Sequence, residues 1–370
     1  MRGLMRFNHS FFTAVLIIGA LILPASILAA EPPKMEFKPK LFGYIEGWYQ
    51  SDQSDLAVSK VDNEFRVRRA RIDVKGQVRE EMGYRVTANL DGAAATRAQL
   101  WDGFITYKVH PLAMMTVGQF KYHFSIEGLE GTPDRVPVLR AESINDIATP
   151  LGTKGGALRD IGVQVTGGSK ETLGLKYGIA VINGAGLNTR DNNNNKDIVG
   201  RITLSHVDGL MVGISGFTGK AQAEGAAFDV EESAYVLSAD YVLKDLGLSL
   251  RGEYVTAEWE NFNVATGAAA AGVTQEPSGW YLQAAYKLPS LPAVQLMARY
   301  EDYEKDSNTD NSHLKTTTLG ATYYLKGKSR ITANYLLREG DSSPIVKAQE
   351  TSATGSDIGD LVLVQFLVAY

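Results

Sequence analysis

Leu314-Lys315-Thr316-Thr317-Thr318-Leu319-Gly320-Ala321-Thr322-Tyr323-Tyr324-Leu325 is followed, after Lys326-Gly327-Lys328, by Ser329-Arg330-Ile331-Thr332-Ala333-Asn334-Tyr335-Leu336-Leu337-Arg338. In the first stretch Leu319, Ala321, Tyr323 and Leu325 share one face, and Thr316, Thr318, Gly320 and Thr322 share the other. In the second, Ile331, Ala333, Tyr335 and Leu337 oppose Arg330, Thr332, Asn334 and Arg338. Side chains alternate across a strand, so period two marks a half-buried strand where a period of 3.6 would mark a helix. The pair is a hairpin, greasy on one side and wet on the other.

The same split recurs along the chain. Trp280, Leu282, Ala284, Tyr286 and Leu288 oppose Tyr281, Gln283 and Lys287, and 294–300 alternates against Gln295 and Arg299. Sixteen strands are expected near 40–50, 64–78, 82–91, 100–109, 114–121, 160–167, 172–183, 197–206, 209–218, 231–243, 246–258, 278–288, 293–303, 314–325, 329–338 and 357–370. Their spacers alternate between long polar ones (51–63, 92–99, 122–159, 184–196, 219–230, 259–277, 304–313, 339–356) and short ones such as Arg79-Glu80-Glu81, Val207-Asp208 and Lys244-Asp245.

A soluble sandwich has no reason for that alternation, whereas a membrane-spanning antiparallel barrel has tight turns on one side and long loops on the other. Within a bilayer every backbone N–H and C=O must pair inside the protein, so a spanning sheet has to close. Strands of about 9 to 11 residues suffice to cross. Eight strands give an interior filled by side chains, but sixteen leave an aqueous channel. The fold expected is therefore an all-β transmembrane antiparallel barrel of about 16 strands with a long third loop folded inward.

Composition agrees and excludes much else. The 370 residues contain no cysteine, which rules out disulfides, Cys-ligated metals and a thiol nucleophile. Lys and Arg number 37 against 42 Asp and Glu, a formal charge of −5, which is a poor basis for nucleic-acid binding. There is no HExxH, GxSxG or P-loop, and His9, His110, His123, His206 and His313 are scattered, so no catalytic group, cofactor or metal site is expected.

Arg2 and Arg6 precede an apolar run from Phe11 to Leu23, Pro24 breaks it, and Ala29-Ala30 stand before Glu31-Pro32-Pro33-Lys34. This is the layout of a secretory signal peptide over residues 1–30, with the barrel occupying 31–370. An uncleaved anchor helix is the alternative, although the run is shorter than the roughly 20 residues a span needs. Removing it takes away two arginines and no acid, leaving 35 basic and 42 acidic side chains, or −7. At the other end, Val362, Val364, Phe366 and Val368 run in phase with Tyr370, as in the C-terminal signal of bacterial outer-membrane barrels. Trp48, Tyr84, Trp101, Trp259, Trp280, Tyr300 and Tyr303 recur near strand ends, where interface girdles stand. Each taken singly is equally ordinary strand packing.

Phe65-Arg66-Val67-Arg68-Arg69-Ala70-Arg71-Ile72-Asp73-Val74-Lys75-Gly76, Val117-Gly118-Gln119-Phe120-Lys121, Arg159-Asp160-Ile161-Gly162-Val163 and Gly279-Trp280-Tyr281 resemble the phosphate-selective porin O and P family of Gram-negative outer membranes. The resemblance covers essentially the whole mature chain. It implies a homotrimer of sixteen-stranded barrels, set among outer-membrane lipid and lipopolysaccharide, each with its third loop in the channel. Small anionic solutes, phosphate or polyphosphate among them, are the partners it implies.

The polar phase of each strand places Arg69, Arg71, Lys75, Arg85, Lys108, Lys121, Lys176, Arg201, Arg251, Lys287, Arg299, Arg330 and Arg338 inward. The inward acids are Glu46, Asp73, Asp91, Asp102, Asp240, Glu253 and Glu301. Basic rings at a constriction favour anions. Arg69, Arg71, Lys75, Arg85, Lys121, Arg201, Arg299 and Arg330, with Arg135 and Arg140 of the third loop, are the expected anion path. The competing reading is that Arg69, Arg71 and Arg85 pair with Asp73, Asp91 and Asp102 and merely stiffen the wall. Arg66 and Arg68 face lipid unless the strand carries a bulge.

The third spacer, 122–159, is long enough to demand a role, either narrowing the channel or standing outside as a flap. Asp191-Asn192-Asn193-Asn194-Asn195-Lys196-Asp197 offers oxygen ligands but lacks the Gly and terminal Glu of an EF-hand, so a solvated tip is favoured. Three functions remain: an anion channel, a general diffusion channel of weak selectivity, and a non-conducting barrel serving as adhesin or enzyme.

Overall fold

The computed structural model describes residues 38–52, 63–90, 98–147, 158–222, 229–263, 268–340 and 359–370. The proposed signal segment 1–30, Asp91 and Lys154 lie outside them.

The strands are β1 (Lys40–Asp52), β2 (Asn63–Gln77), β3 (Met82–Asn89), β4 (Gln99–His110), β5 (Ala113–Lys121), β6 (Arg159–Ser169), β7 (Leu175–Ile182), β8 (Asp197–Leu204) and β9 (Leu210–Gln222). They continue as β10 (Asp229–Leu243), β11 (Leu248–Asn263), β12 (Ala268–Gln275), β13 (Ser278–Lys287), β14 (Val294–Glu304), β15 (His313–Lys326), β16 (Ser329–Gly340) and β17 (Leu361–Ala369). Antiparallel pairing passes from β1 to β11 in order, then through β13 to β17. β17 returns to β1 from Tyr44↔Ala369 to Asp52↔Leu361. Sixteen strands thus close into a barrel, and beyond the last paired residue Tyr370 and Gly43 exchange both backbone bonds at 3.1 Å.

β12 is the exception. It pairs only with the end of β11, as Trp259↔Gln275 and Asn263↔Ala268, inside a spacer read as loop. Its Ala268–Ala271 run has no apolar–polar alternation to reveal it.

The two faces separate as the alternation requires. Leu319, Tyr323 and Leu325 are about half exposed on the outside, whereas Thr318 and Thr322 are buried inside. Outward Trp280 and Tyr300 lie 5.5 Å apart as an exposed pair. Trp48, Trp101, Trp259 and Tyr303, by contrast, are buried, which overturns their reading as girdle residues. Trp48, Trp101 and Tyr303 stack under cationic side chains. Trp259 packs edge-on against Phe262 at 5.8 Å.

Two register shifts set the surroundings of the first two of those tryptophans, adding a cation opposite Trp48 and adding Trp101 itself. Between β1 and β2 the pairing jumps from Glu46↔Arg69 to Gly47↔Val67, so Arg68 is an extra residue. Between β3 and β4 it jumps from Thr87↔Asp102 to Ala88↔Leu100, so Trp101 is extra. A bulge reverses the side-chain phase beyond it. Phe65 and Val67 therefore point outward, exposed, while Arg66 joins Arg69 and Arg71 on the inner side.

Candidate functional site

Residues 122–147 of the spacer after β5 enter the barrel. Two short helical turns, Ile126–Leu129 and Glu142–Asp146, shape it; the first is capped by Ser125, whose Oγ accepts from Gly128 N at 2.7 Å. Helix starts leave N–H groups without partners, and here inward carboxylates of the wall accept them. Glu253 on β11 accepts Ile126 N at 2.7 Å and Glu127 N at 3.0 Å. Glu301 on β14 accepts Ser143 N and Oγ, both at 2.9 Å. Asn334 on β16 accepts Val138 N at 2.7 Å. The loop thus lies within the lumen, against the wall.

Five of the expected anion-path cations hold this loop. Lys121 donates to the carbonyls of Gly128, Leu129 and Glu130 at 2.7, 3.3 and 3.1 Å. Arg201 reaches Phe124 O at 3.0 Å, besides Ser215 and Ser238. Arg299 pairs with Glu127 at 3.0 Å, both side chains 1% exposed. Arg330 gathers the carbonyls of Thr132, Pro133 and Arg135 at 3.0, 2.8 and 2.7 Å. Arg135 is itself buried and donates to Pro137 and Val138 within the loop. Arg251 bridges Glu130 at 2.6 Å and Asp240 at 2.9 Å. Sequence phase gave Lys121, Arg201, Arg251, Arg299 and Arg330 an inward side but no information on what stands opposite, and Arg135 was named only as a member of the loop.

The β1–β6 wall carries the other group. Arg66, Arg68 and Arg69 surround the Trp48 ring at 5.2, 5.3 and 5.9 Å from its centroid. Arg71 stands 4.1 Å from Trp101 and 5.7 Å from Tyr44, and Arg159 is 4.9 Å from Trp101. Lys75 and Arg85 lie over Phe42 at 4.8 and 5.7 Å. Seven ring-stacked cations therefore stand on this wall, and Glu46, Asp73, Asp102 and Glu64 are the carboxylates nearest them, with Asp52 and the fully buried Asp160 elsewhere on the same strands. The first three acids are buried, and each is paired: Glu46 with Arg69 at 2.8 Å, Asp73 with Arg85, and Asp102 with Arg159 at 2.7 Å. Arg66 meets the more exposed Glu64 at 3.2 Å. Asp102, expected to serve Arg69, Arg71 or Arg85, is held chiefly by Arg159, with Arg85 at 4.0 Å.

Arg140 of the loop faces this wall. Its guanidinium donates to Glu127 O at 3.1 Å and Glu130 O at 3.4 Å. Burial pushes it down from its ordinary value, Glu127 opposes, and Arg69 and Arg159 push the same way as burial, so Arg140 lies within electrostatic reach of both. On the tight-turn side of the loop, a cavity of about 1060 Å³ is lined by Lys108, His123, Leu129, Lys176 and Tyr177 among others. The Asn-rich turn closes on itself, with Asn193 N on Asp191 at 3.3 Å and Asn195 N on Asn193 at 2.8 Å.

The sequence profile of the Gram-negative porins matches residues 13–359. The chain belongs to the Gram-negative porin family. Solved porins share its fold. The anion-selective porin from Comamonas acidovorans superposes with a TM-score of 0.68 at 13% identity, over 90% of this chain and 100% of that one. The trimer form of OmpT from Vibrio cholerae gives 0.62 at 12% identity, over 90% and 99%. OmpF of Salmonella typhi, in complex with daunomycin, gives 0.64 at 14% identity, over 90% and 98%. No curated protein sequence matches the chain. Family and closed barrel together place this porin in the outer membrane as a channel.

Proposed function

We propose that the porin is a passive channel for small anions. The observation that carries this is the cluster of seven ring-stacked cations on the β1–β6 wall, beside Arg140 of the inward loop, with Glu46, Asp73, Asp102 and Asp160 of the same wall buried. Arg69, Arg71, Lys75, Arg85 and Arg140 line the anion path; Lys121, Arg135, Arg201, Arg299 and Arg330 set its width through the loop. A cation excess in a narrow, partly desolvated passage raises local anion concentration and excludes cations.

Phosphate and polyphosphate are the substrates suggested by the resemblance in the second strand, since a guanidinium fork gives two parallel bonds to an oxyanion. Residues 1–30 are the export signal, 31–370 the barrel, and the assembly a homotrimer in contact with lipopolysaccharide. Weak selectivity is the second reading, favoured by the pairing of Glu46, Asp73 and Asp102, which cancels part of the wall's charge. Reversal potentials across a planar bilayer in a KCl gradient decide: chloride preference supports the anion channel, and equal permeability supports the weakly selective porin. Block of chloride current by added phosphate tests the finer assignment.

A further inference from the structure

The cations of the β1–β6 wall are laid on aromatic rings, and this says more about the solute than their charge does. Among the described residues eight cation–ring pairs fall on this wall, using only the rings of Phe42, Tyr44, Trp48 and Trp101. Such pairs occur roughly once per 70–80 residues in proteins generally. Both bulges feed the arrangement, one adding Arg68 and the other Trp101. Phe42 to Trp48 spans six residues of β1, or about 20 Å at the usual strand rise.

We propose that this wall is a selectivity strip for planar aromatic carboxylates, favouring them over saturated carboxylates of the same charge and size. The inference rests on the anion-channel reading and deepens it. A guanidinium is weakly hydrated and stacks on aromatic faces, so a ring backing it on one side leaves a planar cation for a second ring on the other. Successive inward positions on a strand stand about 7 Å apart, comparable to an arylcarboxylate laid lengthwise. Its ring can cover one guanidinium while its carboxylate meets the next.

Glu46, Asp73 and Asp102 sit beneath the cations at 0, 4 and 2% exposure, so the entering carboxylate meets no facing acid from them. Side-chain exposure is 34% at Arg66 and 38% at Arg85, against 14% at Arg69 and 8% at Arg159. Guanidiniums are therefore more exposed at both ends of the strip, with Glu64 beside Arg66 at 3.2 Å, and closer-packed along its middle. Chloride and phosphate have no π-face and gain only from charge.

The test is a bi-ionic measurement on the refolded porin in planar bilayers, comparing potassium benzoate with potassium cyclohexanecarboxylate against KCl. The saturated ring is the more apolar, so simple hydrophobic burial would favour it. The strip predicts the reverse, a benzoate permeability about two- to fivefold higher, the range expected of a modest cation–π contribution. Arg71→Lys keeps a positive charge but removes the plane, and should bring the ratio toward one; Arg66→Lys, at the more open end, supplies the same comparison if Arg71→Lys does not refold. A ratio of one in a parent that still prefers chloride to potassium overturns the strip and leaves the anion channel standing. A ratio unchanged in the Lys variants overturns the strip as its cause. Absence of any chloride preference overturns both.

Discussion

At the residue scale, each cation's role depends on what its donors already hold. Arg71 lies against Trp101 and Tyr44 and donates from Nε to Asn89 Oδ1 at 3.1 Å. Arg71→Glu reverses a charge on the proposed path. A unit charge about 8 Å from a passing anion contributes about 2 kcal/mol at an effective dielectric of 20, so local anion occupancy should fall by more than tenfold at low salt. The reversal potential should move toward cations, less so where ions screen beyond about 8 Å; an unmoved potential at low salt would remove Arg71 from the path. Lys121 is different, since its ammonium already gathers three loop carbonyls, and its replacement by Met should alter conductance more than selectivity. His123 is the pH-sensitive residue of the loop root, with Nδ1 2.9 Å from Gln164 Oε1. Burial lowers it from its ordinary 6.5, Gln164 opposes, and Arg201 and Lys121 act with burial. A histidine depressed in the fold is neutral there, so its contribution to seating the loop is complete above the ordinary value and is lost as pH falls through the folded one. Single-channel noise should therefore grow on acidification, and His123→Gln should flatten that dependence; equal noise from neutral to acid pH in the parent would refute it.

At the scale of elements, the inward loop is a clamp made of individually modest bonds with buried ends. Arg299→Met leaves Glu127 buried without its guanidinium, and breaking one side of such a pair costs about 3–5 kcal/mol. The loop should loosen, conductance and its fluctuation should rise, and Arg299→Met with Glu127→Gln should recover part of the change. Identical conductance in all three proteins would show that the loop is held elsewhere. All sixteen barrel strands were legible from period two and from the rhythm of long and short spacers, because lipid on one side and water on the other impose both. The bulge at Arg68 showed only as a condition, in the outward phase of Arg66 and Arg68, and the one at Trp101 did not show, because a bulge is one residue wide and is defined by the partner strand. The adjacent pairs Arg68-Arg69 and Trp101-Asp102, each with two side chains suited to the lumen, were a further trace. The loop's length announced a role, but apart from the local bonds of Lys121 its fastenings to the wall join residues 77 to 198 positions apart, beyond any local pattern.

At the scale of the whole molecule, closure depends on one seam. β17 meets β1 over nine register pairs, and Tyr370 adds two backbone bonds to Gly43. Deleting Tyr370 should lower the fraction of barrel that resists unfolding in cold detergent on electrophoresis; an unchanged fraction would mean that the nine pairs suffice. The loop gives the same ring another property. It is tied at once to β8, β11, β14 and β16 through Arg201, Glu253, Glu301 and Arg330. A hoop of strands resists stretching along its circumference far better than flattening into an oval, and a tie across its inside opposes just that deformation. Lateral pressure from the surrounding leaflets is then shared between the hoop and its tie, and any squeeze that strains the tie also changes the width of the passage beside it.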